Sequence, residues 1–445
     1  MSATARKELV KEAQRGWANE ALAVVRERQQ RVLGPGGLSL AAEGAATWGK
    51  ASFPSPRSEE WKYTNPEIIA AGSFRLASGD AATLREEELS AYLISSLAPN
   101  RLVFVDGSFS EDLSQLQPQE GVEVSRLANG SPAPFGALRA HTQEPFAALA
   151  AGLLQDGVSV QVGRGVRMNS PLHVLHVMTQ NASGCVVAPR LFVDAQELAD
   201  VSVIESSLSL GGDSYLSLPV VEVRAAEGAR VDLYRLQDDA LSAFVVSNTD
   251  IEQARDSTVR THVFSFGGRL VRNNAAVRLR GPNANAVLNG LSVLAASQHV
   301  DNSTLIHHVE PSCESREHFK GVYADASRGV FSGTITVEQD AQKTNAFQSN
   351  QALLLSPNAS IETRPQLKIW ADDVKCTHGA TVGQLDPEAM FYLRSRGIGK
   401  EAARKFLVHA FASEVLVSVL PEVLRQHIEA FVSRKLDEAQ GEVAV

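Results

Sequence analysis

Apolar residues recur at helical spacing over residues 4–33, where Leu9, Ala13, Trp17, Ala21, Val24 and Val25 share a face. Gly34, Pro35, Gly36 and Gly37 predict the stop of that helix. Residues 52–66 lose all periodicity around Pro54, Pro56 and Pro66, so their Glu-Glu-Trp-Lys-Tyr-Thr string reads as an exposed loop. A further helix is predicted near 81–96, a short strand from Leu102 to Val105, and an Ala/Leu-rich helix over 144–155. The first third is therefore mixed α/β.

From about 157 to 383 the period falls to two. Runs such as Val158 to Val162, Val201 to Ile204, Val277 to Leu279 and Leu353 to Leu355 alternate with Gly, Asn, Asp and Pro turns. Strand starts recur at Asp200-Val201, Arg230-Val231, Thr258-Val259 and Ala286-Val287, in steps of 30, 28 and 28 residues. A similar unit, Pro357 to Ile361, follows out of strict register. Near-constant spacing of strand–turn–strand units predicts a β-solenoid, whose stacked coils fill their core with one inward apolar row per face. A β-sandwich with accidental spacing is the alternative.

After 385 the pattern is helical again. Asp386 before Pro387 predicts an N-cap and first helical position, with Glu388 in the first turn. A turn at Gly397-Ile398-Gly399 leads into residues 400–419, where Ala403, Phe406, Leu407, Ala410, Phe411, Val415 and Val417 make a broad apolar stripe. Pro421 opens a last helix to about 439, with Val423, Leu424, Ile428, Phe431 and Val432 on one side. Such wide stripes must pack on each other, on the solenoid or on a partner protein. The expected divisions are 1–150, 151–385 and 386–445.

Composition narrows the function. The 445 residues carry 42 Lys and Arg against 51 Asp and Glu, a net charge of −9 that argues against general nucleic-acid or anionic-membrane binding. Three cysteines, Cys185, Cys313 and Cys376, cannot build a disulfide framework and suit a reducing compartment. Glu8 and Glu12 in the opening segment speak against a targeting peptide, and the apolar runs at 145–154 and 411–420 are too short to span a bilayer. The expectation is a soluble, cytoplasmic chain.

Nucleotide chemistry finds no cradle. Gly397-Ile398-Gly399-Lys400 is followed by Glu401, and Gly163-Arg164-Gly165 has Met168 where a dinucleotide fingerprint needs glycine. Two segments gather soft or borderline metal ligands. The first, His307 to His318, holds three imidazoles, Cys313 and three carboxylates, but meets no zinc or haem spacing, which favours structural or solvated roles. In the second, Cys376 and His378 would lie on one face of a strand, one pleat apart. A thiolate and an imidazole so placed could share an ion, or an imidazolium could lower the thiol pKa. A buried cysteine beside a surface histidine is the plainer reading, and Gly379 would permit close approach of another group.

The run from His318 to Gly399 resembles the SUF iron–sulfur cluster assembly scaffolds, and within them the D component. It carries HFKGVY, RGVFSGTITV, AQKTNAFQSNQALLLSPNA, TRPQLKIWADDVKCTHGATVGQLD and MFYLRSRGIGKEAA; EEWKYTNP at 59–66 is similar to the family's N-terminal signature. The resemblance implies a right-handed parallel β-helix core flanked by an N-terminal α/β domain and a C-terminal α-helical domain. It implies pairing with a paralogue, SufB, through the β-helix, and engagement of an ABC-type ATPase, SufC, through the C-terminal helices. It makes His378, with Cys376 second, the candidate ligand of a nascent iron–sulfur cluster at the interface with SufB. Gly379 stands where the B paralogue carries a glutamate, and with so few cysteines a complete four-thiolate cluster on this chain is not expected. Flavin binding, and a homodimer in the partner's absence, stay open.

The resulting expectation is a non-enzymatic scaffold. Two alternatives stand beside it: a carbohydrate-active solenoid enzyme, with Asp372 and Asp373 as its carboxylates, and a purely structural brace for the paralogue.

Overall fold

The computed structural model describes residues 16–78, 84–90, 92–94, 99–129, 144–211, 213–420 and 422–439. Leu9 and Ala13 of the first predicted helix, part of the one near 81–96, and Pro421 lie outside the described residues.

Helix α1 (Gly16–Val32) buries Trp17, Ala21, Leu22 and Val25, whereas Val24 points to solvent. The Gly34 to Gly37 string ends α1 but also starts α2 (Pro35–Lys50), with Gly34 as its cap and Pro35 at the first position. A proline there lacks only an N–H that would have no helical partner. Helix α3 (Pro145–Gly152) is buried along nearly its whole length. The described part of 81–96 is a single 3-10 turn, Glu86–Leu89, not a helix. Glu88 closes that turn on the Arg85 N–H, and Leu89 is its one buried residue, so no apolar face continues it.

From Val158 onward, apart from two short strands, successive strands alternate between two sheets paired in parallel. In spatial order the first runs Ser360–Ile369, Arg328–Val337, His299–His308, Leu270–Leu279, Phe244–Gln253, Val220–Ala225, Arg190–Ala195 and Val158–Val162. The second runs Lys375–Gly383, Asn345–Leu354, Glu314–Tyr323, Asn285–Leu294, Thr258–Ser265, Arg230–Asp238, Asp200–Ser209 and Leu172–Met178. This is a parallel β-helix, and the strand repeat marks one of its sheets. The register pairs Val201 with Val231 and Val231 with Val259, but Val259 with Ala286 rather than Val287. That coil is one residue shorter than the spacing suggests, and a one-residue slip turns Val287 away from the core. The unit at Pro357 to Ile361 falls out of register because its strand belongs to the other sheet.

One corner is built alike in six successive coils. Two residues before six of the eight strands of the second sheet, from Leu198 through Gly228, Asp256, Asn283 and Ser312 to Lys343, the backbone takes a positive φ between 58° and 66°. Each of these N–H groups donates to a carbonyl of the next coil, ending with Lys343 on Asp373. Only one of the six is glycine. The inter-coil hydrogen bond holds the others in a conformation that costs an L-residue about 1 kcal/mol.

The two ends of the β-helix differ. At the N-terminal end Arg101–Val105 and Ser108–Gln115 close the second sheet with an antiparallel pair, and Val122–Arg126 closes the first. At the C-terminal end, Ser360–Ile369 and Lys375–Gly383 are edge strands with no wholly buried residue.

Helices α4 (Pro387–Ser395), α5 (Lys400–Leu416) and α6 (Glu422–Ala439) follow. Asp386 caps α4 by accepting from the Glu388 N–H. Helices α5 and α6 fold back on the outer face of the second sheet, where Val408, Val415, Leu424, Ile428 and Phe431 share a core with Tyr234, Phe264 and Leu291. Each such buried side chain contributes about 1.5–3 kcal/mol, so this pair is integral to the fold. Of the predicted stripe, Phe406 and Val417 instead face solvent, as does Val423 on α6.

The terminal rung and its comparison with known proteins

Cys376 and His378 sit on the last strand of the second sheet. Cys376 pairs in register with Ala346, and His378 with Gln348. Both partners belong to rows that line the lumen. One row contains Val201, Val231, Val259, Ala286, Ser315 and Ala346; the other contains Val203, Leu233, Leu288, Glu317 and Gln348. Side chains of a strand alternate faces, so the thiol and the imidazole share the lumen side of the last coil, one pleat apart. Cys376 packs half-buried against the solenoid core, and that burial pushes its thiol pKa up. His378 is exposed, and nothing stands within 4 Å of where a Cβ on Gly379 would lie. Within this chain, then, the thiol is not activated, while the imidazole is accessible.

Beneath His378 the lumen turns polar. Gln348, fully buried, donates from Nε2 to the Glu317 carboxylate of the preceding coil. Burial pushes the Glu317 carboxyl up to about 7, opposed by Thr304 and Gln348. Gly333 on the facing sheet makes the room, since a Cβ there would lie 2.0 Å from Gln348 Nε2. Sequence reading missed Gln348, and took Glu317 only as one of the three carboxylates of the His307 to His318 segment. Stepping back from His378 by 30 and then 31 residues, lengths typical of these coils, would have found them.

The His307 to His318 segment is split by the same alternation. His307 pairs with Glu338 at 2.7 Å on the outside of the first sheet. His308 is sealed in the lumen against Ser315 at 2.9 Å, its pKa drawn down to about 4 by burial. His318 lies on the outside of the second sheet near Lys320 and Glu414. Cys313 is buried at a corner, donating to the Gly281 carbonyl. Its imidazoles face three different regions, and among the described residues no three His, Cys, Asp or Glu gather as a metal site.

Asp372 and Asp373 lie side by side in the exposed bend between the last two strands, and the Asp373 N–H is taken by the Gln342 side chain. The EEWKYTNP string is exposed at Glu59, Glu60, Lys62, Tyr63 and Asn65, as expected, but is docked through the buried Trp61, Thr64 and Pro66. Trp61 is 3% accessible and lies over the Arg272 guanidinium at 4.2 Å. Thr64 meets Asp301 and His299, and Glu59 pairs with Arg364. An indole can cover apolar surface and a cation together, which residue type alone does not disclose.

The exposed apolar surface concentrates near the open end and on the helices. Trp370 (56% accessible), Phe347 and Val382 belong to the last coils, and Phe391 (76%) and Tyr392 (57%) stand on α4. Phe406 borders a groove of about 360 Å³ between α5 and α6. No helix of the described residues is long and apolar enough to cross a membrane.

Comparison with known proteins agrees with this architecture. The family described as "SUF system FeS cluster assembly, SufBD core domain" matches residues 177–411. The iron-sulfur cluster assembly protein SufD of Escherichia coli is 33% identical over 390 residues, covering 87% of this chain and 90% of that protein. A SufBD family protein of Synechocystis, slr0076, is 30% identical over 400 residues, covering 86% and 88%. SufD of Bacillus subtilis is 25% identical over 297 residues, 66% of this chain. With a family match across the β-helix and a relative similar over most of both chains, this chain belongs to the SufBD family of SUF iron–sulfur cluster assembly proteins.

Proposed function

We propose that this chain is a non-enzymatic scaffold subunit that pairs with a SufB-type paralogue at the open end of its β-helix and binds a SufC-type ATPase through its C-terminal helices. The carrying observation is the asymmetry of the ends. A solenoid exposes its apolar lumen and unpaired strand edges unless something caps it. Here one end is closed by antiparallel strands, and the other is left bare with Trp370, Phe347 and Val382 around it. A paralogue with the same coil geometry can continue both sheets across that edge. The α5–α6 groove with Phe406 offers a separate face to the ATPase.

In this reading His378 is a ligand to a nascent cluster shared with the paralogue, and Cys376 is a secondary one. The cluster is cargo, built from iron and sulfide and passed on. An accessible imidazole at an incomplete rim suits transient binding better than a closed four-thiolate cage. In this reading the chain works in the cytoplasm beside its SUF partners.

The test is co-expression with the paralogue and the ATPase, anaerobic isolation, and iron and sulfide analysis. His378→Ala should leave the complex assembled and lower its cluster content at least tenfold. A normal cluster content in that assembled variant would reduce the chain to a brace and remove the site.

A further inference from the structure

The Gln348 side chain is fully buried and only half satisfied. Its Nε2 is committed to Glu317 on one side, while its Oε1 has no hydrogen-bond partner. A buried amide acceptor left empty is destabilising by roughly 1–3 kcal/mol. The two branches of a planar amide diverge by about 120°. With Nε2 turned back to the preceding coil, Oε1 is the branch available to the following one, and the residue there is His378.

We propose that Gln348, held by Glu317, is a positioning residue for His378: its Oε1 accepts one imidazole N–H and leaves the other ring nitrogen free at the open rim. Histidines that ligate metals generally donate their second N–H in this way, which fixes tautomer and ring plane. Glu317 determines which way the amide faces. Were the amide flipped, its oxygen would confront the carboxylate and its NH2 the imidazole. Gly333 is the enabling gap, because any side chain there would displace the amide. Thr304 lies near enough to lower the Glu317 pKa, but its hydroxyl and Glu317 Oε1 have no hydrogen-bond partner, so Gln348 is, among the described residues, the one side chain that holds the carboxyl. The meaning for cluster building rests on the ligand role given above to His378; the positioning itself does not.

The experiment is long-range 1H–15N correlation of the imidazole rings in the full-length chain labelled with 15N-histidine, held at pH 8. His378→Gln assigns the signal. The wild-type ring should show one neutral tautomer. Gln348→Met, of similar volume without an acceptor, should give two exchanging tautomers. Glu317→Gln keeps an acceptor for Nε2 and should retain the single tautomer, whereas Glu317→Leu should lose it; leucine already fits this row at Leu233 and Leu288. If Gln348→Met does not fold, Gln348→Asn, one methylene shorter, serves the same purpose. An unchanged His378 spectrum in a folded Gln348 variant overturns the proposal. Normal cluster content in His378→Ala would instead remove the ligand reading and leave the tautomer result standing, so the two failures are distinguishable.

Discussion

Gln348 and His378 are register partners on adjacent coils, yet one is sealed from water and the other stands open to it. That single step marks the boundary between the packed solenoid and its open edge. The lumen row behind them holds Leu233, Thr261 and Leu288 before Glu317 and Gln348, so its most polar members stand next to the open end. Four predictions test this structure.

Glu317 gives a pH-dependent prediction. Its folded-state pKa of about 7 lies above the ordinary 4.5, so the native state retains a proton that the unfolded chain releases. Stability therefore falls as pH rises from about 4.5 to 7, and the full penalty, about 3 kcal/mol, applies above that. Glu317→Gln removes the titration. Urea unfolding should show the variant gaining on wild type by up to about 3 kcal/mol between pH 5 and pH 8; a constant difference between them would contradict the burial.

Trp61 should behave as a core residue despite its loop. It packs on Phe146 at 5.3 Å and over Arg272. Trp61→Ala is expected to lower the unfolding free energy by about 3–5 kcal/mol, whereas a loop residue would change it by less than about 0.5 kcal/mol. Denaturant midpoints at equal slope decide between these.

Lys320 tethers the second sheet to α5. Its side chain is buried, and Nζ reaches Glu414 at 2.5 Å and the Phe411 carbonyl at 3.1 Å. Glu414→Ala leaves a buried cation with one fewer partner and should destabilise by about 1–3 kcal/mol. Adding Lys320→Met should recover most of that loss, because an apolar side chain of similar length needs no counter-charge. Failure of the double variant to recover would show that the tether works through packing alone.

Gly228 is the one glycine among the six repeated corners, at φ +66°, and a Cβ there would meet Leu198 Cδ2 at 2.6 Å. Gly228→Ala should cost about 1–2 kcal/mol from the left-handed backbone alone, with more from the contact. Combining it with Leu198→Ala should restore only the contact part, and thermal unfolding of the single and double variants separates the two contributions. Equal losses in both variants would mean that Leu198 simply moves aside.

Much of this fold was legible because a solenoid is nearly one-dimensional. Alternation in the runs from Val158 to Gly383 names the strands, and their spacing names the stacking. The Asp386-Pro387 start of α4 was equally plain, since a cap depends on a few adjacent residues. The corner residues were hidden: Leu198, Asp256, Ser312 and Lys343 hold the position that glycine usually marks. Trp61 was misread for a related reason, because its partners Phe146 and Arg272 are far away in sequence.

The sequence by itself determined the coil period and the pair Cys376 and His378 on one face of a strand, because both depend on local spacing, and its motifs carried the resemblance to the family. Only the tertiary structure decided what lies beneath and around them. Which coil is last, which end stays bare, and which side chains stand 30 and 61 residues upstream beneath the imidazole all follow from how coils of unequal length stack. One residue more or less in a single coil turns a side chain from the lumen to the solvent, as Ala286 and Val287 show, and no local pattern reports that count.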